Sequence, residues 1–308
     1  MTDDRERQDM ELQADPDGRL DVPEAVVHCL LKQQFPHLAE LPIRCVDPPG
    51  WDNRSFRLGE ELLLRLPSAE RYVAQVAKEI QWLPFLADRL SVSVPVVLVS
   101  GRAGCGYPWT WSIRRWIEGE AAHPGIINDR TALASQLAEF SVELWSLSTA
   151  GVPAPGQHNF HRGGSLAEYD GEVRAALEAL SGSMDVSAAE QLWQAALASG
   201  AESAARWVHG DLYPGNILLH DGRLTAVIDW GGLAAGDPAC DMSIAWTLLD
   251  PPARCCFRNE CGADAGLWLR GAAWTLWKAL ITLADPAAQK DAQDRSRALI
   301  ETILREAD

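Results

Sequence analysis

A chain of 308 residues with 47% apolar and 23% charged side chains can bury one large core or two lobes, and its composition excludes low-complexity and repeat architectures. A formal net charge of −16 repels nucleic-acid phosphates and anionic membranes, which excludes both as natural partners and favours a cationic one. No apolar run approaches the ~20 residues of a membrane span, and the opening MTDDRERQDMELQADPDG lacks the apolar stretch of a signal peptide, so a soluble protein is expected, and an odd number of irregularly spaced cysteines favours the cytoplasm.

Residues 1–20 read as a disordered acidic tail. Asp21, with Glu24 three residues on, predicts a capping box for a helix carrying Val26, Val27, Leu30 and Leu31. Three β-like runs follow, PIRCVD, NRSFRLG and ELLLRLP, the last two joined as a hairpin through Gly59-Glu60. Apolar residues at helical spacing (Val73, Val76, Ile80, Leu83) predict one long helix from Ala69 to Leu90. The run VVLVS, the glycine-rich loop GRAGCGYP and the run WTWSI predict a second hairpin ending near RRWIEGE. Beyond Thr131 the pattern is mostly helical, at 131–149, 165–180, 187–199, 239–249, 264–283 and 289–306. Seven irregularly spaced cysteines predict reduced thiols, and the cluster Cys255, Cys256, Cys261 lacks the second pair or nearby His of a zinc site.

This order predicts an α+β, protein-kinase-like two-lobe fold, with a small antiparallel-sheet N-lobe (21–115) and a larger, mostly helical C-lobe (116–308). Between the C-lobe helices lies WVHGDLYPGNILLHDGRLTAVIDWGG. Strand-like ARWV leads His209 and Asp211 into a Pro-Gly turn, with Asn216 five positions after Asp211; the DGRL turn then sends TAVI back to Asp229. A hairpin of that kind gathers Asp211, Asn216 and Asp229 at one end. Three oxygen-bearing side chains there make a hard-cation site with one carboxylate left for proton work. Each residue alone is an ordinary turn or strand-end residue; the set is not.

The stretches VHGDLYPGNILL, VIDW and GDPACDMSIAW resemble the signatures of the aminoglycoside phosphotransferase family, a kinase-like group that includes macrolide, choline and homoserine-type small-molecule kinases. The resemblance runs from about Leu41 over nearly the whole chain. It implies that Asp211 is the general base for a substrate hydroxyl, that Asn216 and Asp229 hold Mg²⁺, and that ATP or GTP is the phosphate donor. It further implies that His209 orients the loop through hydrogen bonds. Asp237, followed by Pro238, has the pattern of a helix N-cap, and Asp241 one turn on is expected to brace the catalytic loop.

In the N-lobe the phosphate-binding Lys of such folds is replaced by Arg65, with Glu79 as its prospective partner, which resembles the macrolide kinases. No G-x-G-x-x-G is present; the turn GWDNRSF is expected in its place, with Asp52, Asn53 and Ser55 toward phosphate. Arg115, Trp116 and Ile117 are expected to offer backbone groups to the base, while Trp109 and Trp111 read as core. Taken together, these features predict a Mg-dependent phosphotransferase, monomer or homodimer, acting on a hydroxyl of a small, cationic acceptor of aminoglycoside type. The acidic residues Glu118, Glu120, Glu139, Glu143, Asp170 and Glu172 are candidates for its pocket or for solvated helix faces. Alternatives are a macrolide or metabolite hydroxyl as acceptor, and a catalytically inactive nucleotide-binding interaction protein, against which Asp211, Asn216 and Asp229 together argue.

Overall fold

The computed structural model describes residues 11–47, 50–200 and 205–307. The chain divides into two compact units, the first reaching Arg89 and resuming over Ser93–Glu118, the second comprising Leu90–Val92 and Gly119–Asp308. Of the tail expected to be disordered, residues 1–10 lie outside the described residues. Over 11–20, Arg19 folds back on Asp15 at 2.8 Å, and Ala14 bridges Leu20.

In the first unit, helix α1 (Glu24–Gln34) buries Val26, Val27, Leu30 and Leu31 completely, the stripe read from the sequence. Each contributes about 1.5–3 kcal/mol by leaving water. Its N-cap is Pro23 without a side-chain cap bond, so the Asp21/Glu24 capping box does not form. The strands β1 (Ile43–Cys45), β2 (Asn53–Leu58) and β3 (Leu62–Pro67) are followed by helix α2 (Val73–Ala87), then β4 (Val97–Gly101) and β5 (Trp111–Arg115). All strand pairs are antiparallel, in the order β1-β2-β3-β5-β4. Phe56, Leu58, Leu64, Leu66, Trp111 and Ile113 join the α1 stripe in one core. That packing carries Cys29 of α1 onto Cys105, 76 positions away, and the two form a disulfide, where the sequence predicted reduced thiols; Cys45, Cys240, Cys255, Cys256 and Cys261 are free.

The second unit begins with β6 (Glu120–Ala121), α3 (Arg130–Ser146), α4 (Asp170–Leu180) and α5 (Ser187–Ala198). Then come β7 (Arg206–Val208), β8 (Ile217–His220), β9 (Arg223–Val227) and β10 (Ala234–Gly236). Helices α6 (Ser243–Leu248), α7 (Pro251–Glu260), α8 (Ala265–Ala284) and α9 (Lys290–Ala307) complete it. Two small sheets carry the loops, β6-β8-β9 and β10-β7. Helix α7 was not among the expected helices; Asp250 caps it from Ala253 N–H at 3.1 Å, with both prolines in the first turn, where no N–H is needed. Helix α8 packs against α4, α5, α6 and α9 and is therefore buried along most of its length.

The first unit holds one buried ionic cluster. Glu79 of α2 accepts from Arg65 of β3 at 3.2 Å and from Arg114 of β5 at 2.9 and 3.4 Å. Burial alone would raise the Glu79 carboxyl; the Arg114 and Arg65 guanidinium groups outweigh it and hold it at about 2. Its contribution to stability is therefore full above the unfolded value near ~4.3 and is lost as pH falls through about 2. Glu79→Ala removes the carboxylate shared by two buried guanidinium groups and is expected to cost about 3–5 kcal/mol in thermal or denaturant unfolding. That deficit should shrink in melts taken below pH ~4; a deficit unchanged with pH would contradict the ionic account.

Candidate active site

Strand β7 ends at His209-Gly210-Asp211, and the loop is fixed by a buried carboxylate. Asp241 Oδ2 accepts from His209 N–H at 2.7 Å and Oδ1 from Gly210 N–H at 2.9 Å, the bracing contact expected of it. The His209 ring is fully buried and spans the loop: Nε2 lies 2.9 Å from Ile228 O, and Nδ1 accepts from Asp211 N–H at 3.2 Å. These partners assign the proton to Nε2, so the ring serves as a strut. Gly210 has φ +83°, and a Cβ there would sit 2.3 Å from Gly232 O, so the loop and the segment after Asp229 touch backbone to backbone through glycine. Asp237 caps the turn Pro238–Met242 from Ala239 N–H and pairs with Arg270 at 2.6 Å, a scaffold role.

Asp211 is the meeting point. Lys278 Nζ of α8 donates to its Oδ1 at 2.6 Å, and Asn216 Nδ2 donates to its backbone carbonyl at 2.9 Å and stands 3.4 Å from Oδ2. Burial favours the neutral acid, but the Lys278 ammonium and the Arg162 guanidinium outweigh it and bring the carboxyl down to about 2. The Lys278 ammonium is in turn pushed below its usual range by burial and by Arg162. The Asp211 side chain nevertheless keeps 42% of its surface exposed, so it is ionised at neutral pH and reachable. Sequence reading missed both cations. The available signal was Lys278 itself, a single cation in the apolar run WTLWKALITLA.

Hairpin β8–β9 brings the third oxygen-bearing residue back. Ile228 N–H donates to Asn216 O at 2.9 Å, so Asp229 follows directly on the residue paired with Asn216 across the hairpin, and Asp229 adopts the left-handed conformation (φ +64°) uncommon outside Gly, Asn and Asp. Asn216 and Asp229 offer only oxygen donors to a cation, the donor type that Mg²⁺ takes. Since one of them is an amide, no group of three His, Cys, Asp or Glu arises there or elsewhere among the described residues.

The remaining predicted residues lie in the first unit. Arg65 and Glu79 pair as expected, but Arg114, which was not foreseen, shares Glu79. Asn53 and Ser55 stand in strand β2 opposite Pro67 and Arg65; the turn expected to hold them ends before Asn53. Arg115 closes β5 and is exposed; Trp116 N–H donates to Glu61 O at 2.7 Å, with Arg57 over its ring at 4.5 Å, and Ile117 is half-buried. Trp111 is fully buried, as read.

A cavity of about 710 Å³ opens beside Asp211, walled by α8, α9 and α6 and including Tyr213, Trp246 and Trp277. The acidic residues considered for a pocket do not line it. Glu172 accepts from Trp277 Nε1 and Asp170 from Trp193 Nε1 and Arg174; Glu143 accepts from Ser91, and Glu120 pairs with His123. Glu118 pairs with Arg57 in the first unit.

The sequence pattern of the phosphotransferase enzyme family, APH, matches residues 45–280. Among solved structures, the fold is similar to a GDP complex of aminoglycoside 2'-phosphotransferase-IIIa (TM-score 0.71, 20% identity, 93% of this chain and 100% of that one). It is also similar to a GDP and kanamycin complex of APH(2")-IIia (TM-score 0.70, 21% identity, 92% and 99%). A third similar structure is a macrolide 2'-phosphotransferase from Brachybacterium faecium (TM-score 0.59, 21% identity, 88% and 97%). At these identities the likeness shows the fold. No curated protein matches this chain.

Removal of the Lys278 charge tests the electrostatics of Asp211. In Lys278→Met, burial acts on the carboxyl with one cation fewer, and the acid limb of kcat/KM is expected to move up by ~1–3 pH units. A pH–rate profile of the folded variant that keeps the wild-type acid limb would show that Lys278 does not set the ionisation of Asp211.

Proposed function

Because the chain belongs to the phosphotransferase enzyme family, we propose that it moves the γ-phosphate of ATP or GTP, with Mg²⁺, to a hydroxyl of a small molecule. The observation that carries this reading is the clamped loop that presents an ionised, reachable Asp211 beside Asn216. A merely structural loop has no use for a half-exposed carboxylate held by a buried-helix lysine.

In the proposed reaction the acceptor hydroxyl hydrogen-bonds to Asp211. As its oxygen forms the new bond to phosphorus, the bond from phosphorus to the nucleoside diphosphate breaks and the hydroxyl proton passes to the Asp211 carboxylate. A carboxyl held at about 2 is a weak base. It suffices because phosphoryl transfer passes through a loose transition state, in which orienting the hydroxyl counts for more than early proton removal. Lys278 keeps the carboxylate ionised and aimed. Asn216 and Asp229 would hold Mg²⁺, which supplies charge neutralisation on the phosphates when bound. Arg65, braced by Glu79, is proposed as the phosphate contact, with Asn53 and Ser55 on the neighbouring strand and the backbone of Arg115, Trp116 and Ile117 toward the base. The first unit thus serves the nucleotide and the second serves chemistry and acceptor.

For the acceptor, different observations favour two classes. Structures of similar fold are complexes with kanamycin and with gentamicin, and the net charge of −16 attracts cations, which favours an aminoglycoside-like acceptor. The cavity beside Asp211 is lined by cations and aromatic rings, which favours the other class, a macrolide or metabolite hydroxyl. A cytoplasmic setting belongs to the same proposal; no described helix is long and apolar enough to cross a membrane.

Two substitutions separate the roles. Asp211→Asn is expected to leave folding and nucleotide affinity nearly intact while lowering turnover by ~10²–10⁴; near-normal turnover would remove Asp211 from the chemistry. Asp229→Ala is expected to abolish Mg-dependent nucleotide affinity in calorimetry, because neutral Asn216 cannot replace a carboxylate on a divalent ion. Unchanged affinity would return Asp229 to a strand-end role.

A further inference from the structure

The cavity beside Asp211 carries a local charge opposite to that of the whole chain. Its lining includes three cations, Arg162, Lys278 and Arg295, against one carboxylate, Asp211. Lys278 is committed to Asp211 at 2.6 Å. Arg162 and Arg295 form no ion pair with any described residue. Arg162 stands over Trp277 and Trp274, 5.1 and 5.9 Å from the ring centroids, a contact that holds a guanidinium without neutralising it.

The hydroxyls of the wall complement these donors. Thr275 and Thr282 of α8 give their protons to the carbonyls of Gly271 and Lys278, so toward the cavity they present lone pairs. The wall therefore supplies acceptors for ligand O–H groups from its threonines, and charged donors from two arginines that stand outside any ion pair among the described residues. Guanidinium groups not engaged in a bidentate pair match the planar fork of a carboxylate or a phosphate. A polyammonium compound seated in the same space would place like charges against both.

We infer that the acceptor bears an anionic group, carboxylate or phosphate, that seats on Arg162 and Arg295 while its hydroxyl reaches Asp211. This rests on the phosphotransferase reading and chooses, between the two acceptor classes, a metabolite-like hydroxy acid or phosphorylated alcohol. The overall charge of −16 does not oppose it, because charges beyond about 8 Å are largely screened at physiological salt.

Calorimetric titration of the full chain, without nucleotide or Mg²⁺, tests the inference with inorganic phosphate, citrate and kanamycin as probes. Saturable binding of phosphate or citrate is expected, weakened ~10-fold or more in Arg162→Ala and in Arg295→Ala, with kanamycin bound more weakly than the anions. Phosphate binding alone assigns the phosphorylated class; citrate binding alone assigns the hydroxy acids. Arg295 is solvent-exposed, so its variant keeps the fold even where Arg162→Ala disturbs the tryptophans. Absence of saturable binding by either anion, or binding that survives both substitutions, overturns the inference. Mg-nucleotide turnover is measured separately. Turnover without arginine-dependent anion binding sinks the anionic acceptor alone, whereas anion binding without turnover under any acceptor sinks the phosphotransferase reading and the acceptor role with it.

Discussion

One buried carboxylate holds the site together. Asp241 takes the backbone N–H groups of both His209 and Gly210 in the interior, where an unpaired amide would cost about 1–3 kcal/mol. Burial pushes the Asp241 carboxyl up, and the two donated N–H groups and nearby His209 work against that rise. With these amides pinned, the His209 ring can reach Ile228 on the returning strand, and Asp211 leaves the loop in one direction only. Without Asp241 the loop would lose its anchor to the turn Pro238–Met242, and through it to α8, which carries Lys278.

What was legible in the sequence was local. Asp211, Asn216 and Asp229 sit within one hairpin, so turn chemistry and strand period suffice to bring them together. Asp237 and Asp241 lie within one helical turn and were readable for the same reason. Arg65 and Glu79 were paired through the expected layout of a strand followed by a helix, and the pair forms. The partners that escaped notice come from afar. Lys278 lies 67 positions from Asp211, and Arg114 lies 35 from Glu79. Neither separation leaves a periodic trace, and the Cys29–Cys105 bond depends likewise on tertiary packing. Helix α7 was lost for a different reason: its two prolines signal a break inside a helix and a start at its first turn, and only the cap at Asp250 decides between them.

The contrast between global and local charge bears on how acidic proteins choose ligands. A net charge is a sum over the surface, and most of the acidic residues that seemed available for a pocket have partners elsewhere, as Glu172 and Asp170 do with indole N–H groups. Composition therefore describes long-range attraction and solubility, while affinity is decided within a few ångströms by side chains whose charge lacks a partner. Arg162 and Arg295, which form no ion pair among the described residues, line the cavity at that range.

The same device, a carboxylate held ionised by cations, occurs in both units with different consequences. Glu79 and Asp211 are each brought to about 2 by neighbouring positive charge. Glu79 is closed off, with 4% of its side chain exposed and a guanidinium on each side, so its interactions are complete and its work is to fix Arg65 and Arg114. Asp211 is left open, with 42% of its side chain exposed and one oxygen bound to Lys278. An ion pair that is both closed and saturated can only support structure. One that is held on one side and exposed on the other retains an acceptor oxygen for a ligand, and that difference in exposure, more than the shared electrostatics, is what separates a carboxylate open to a ligand from a purely structural one.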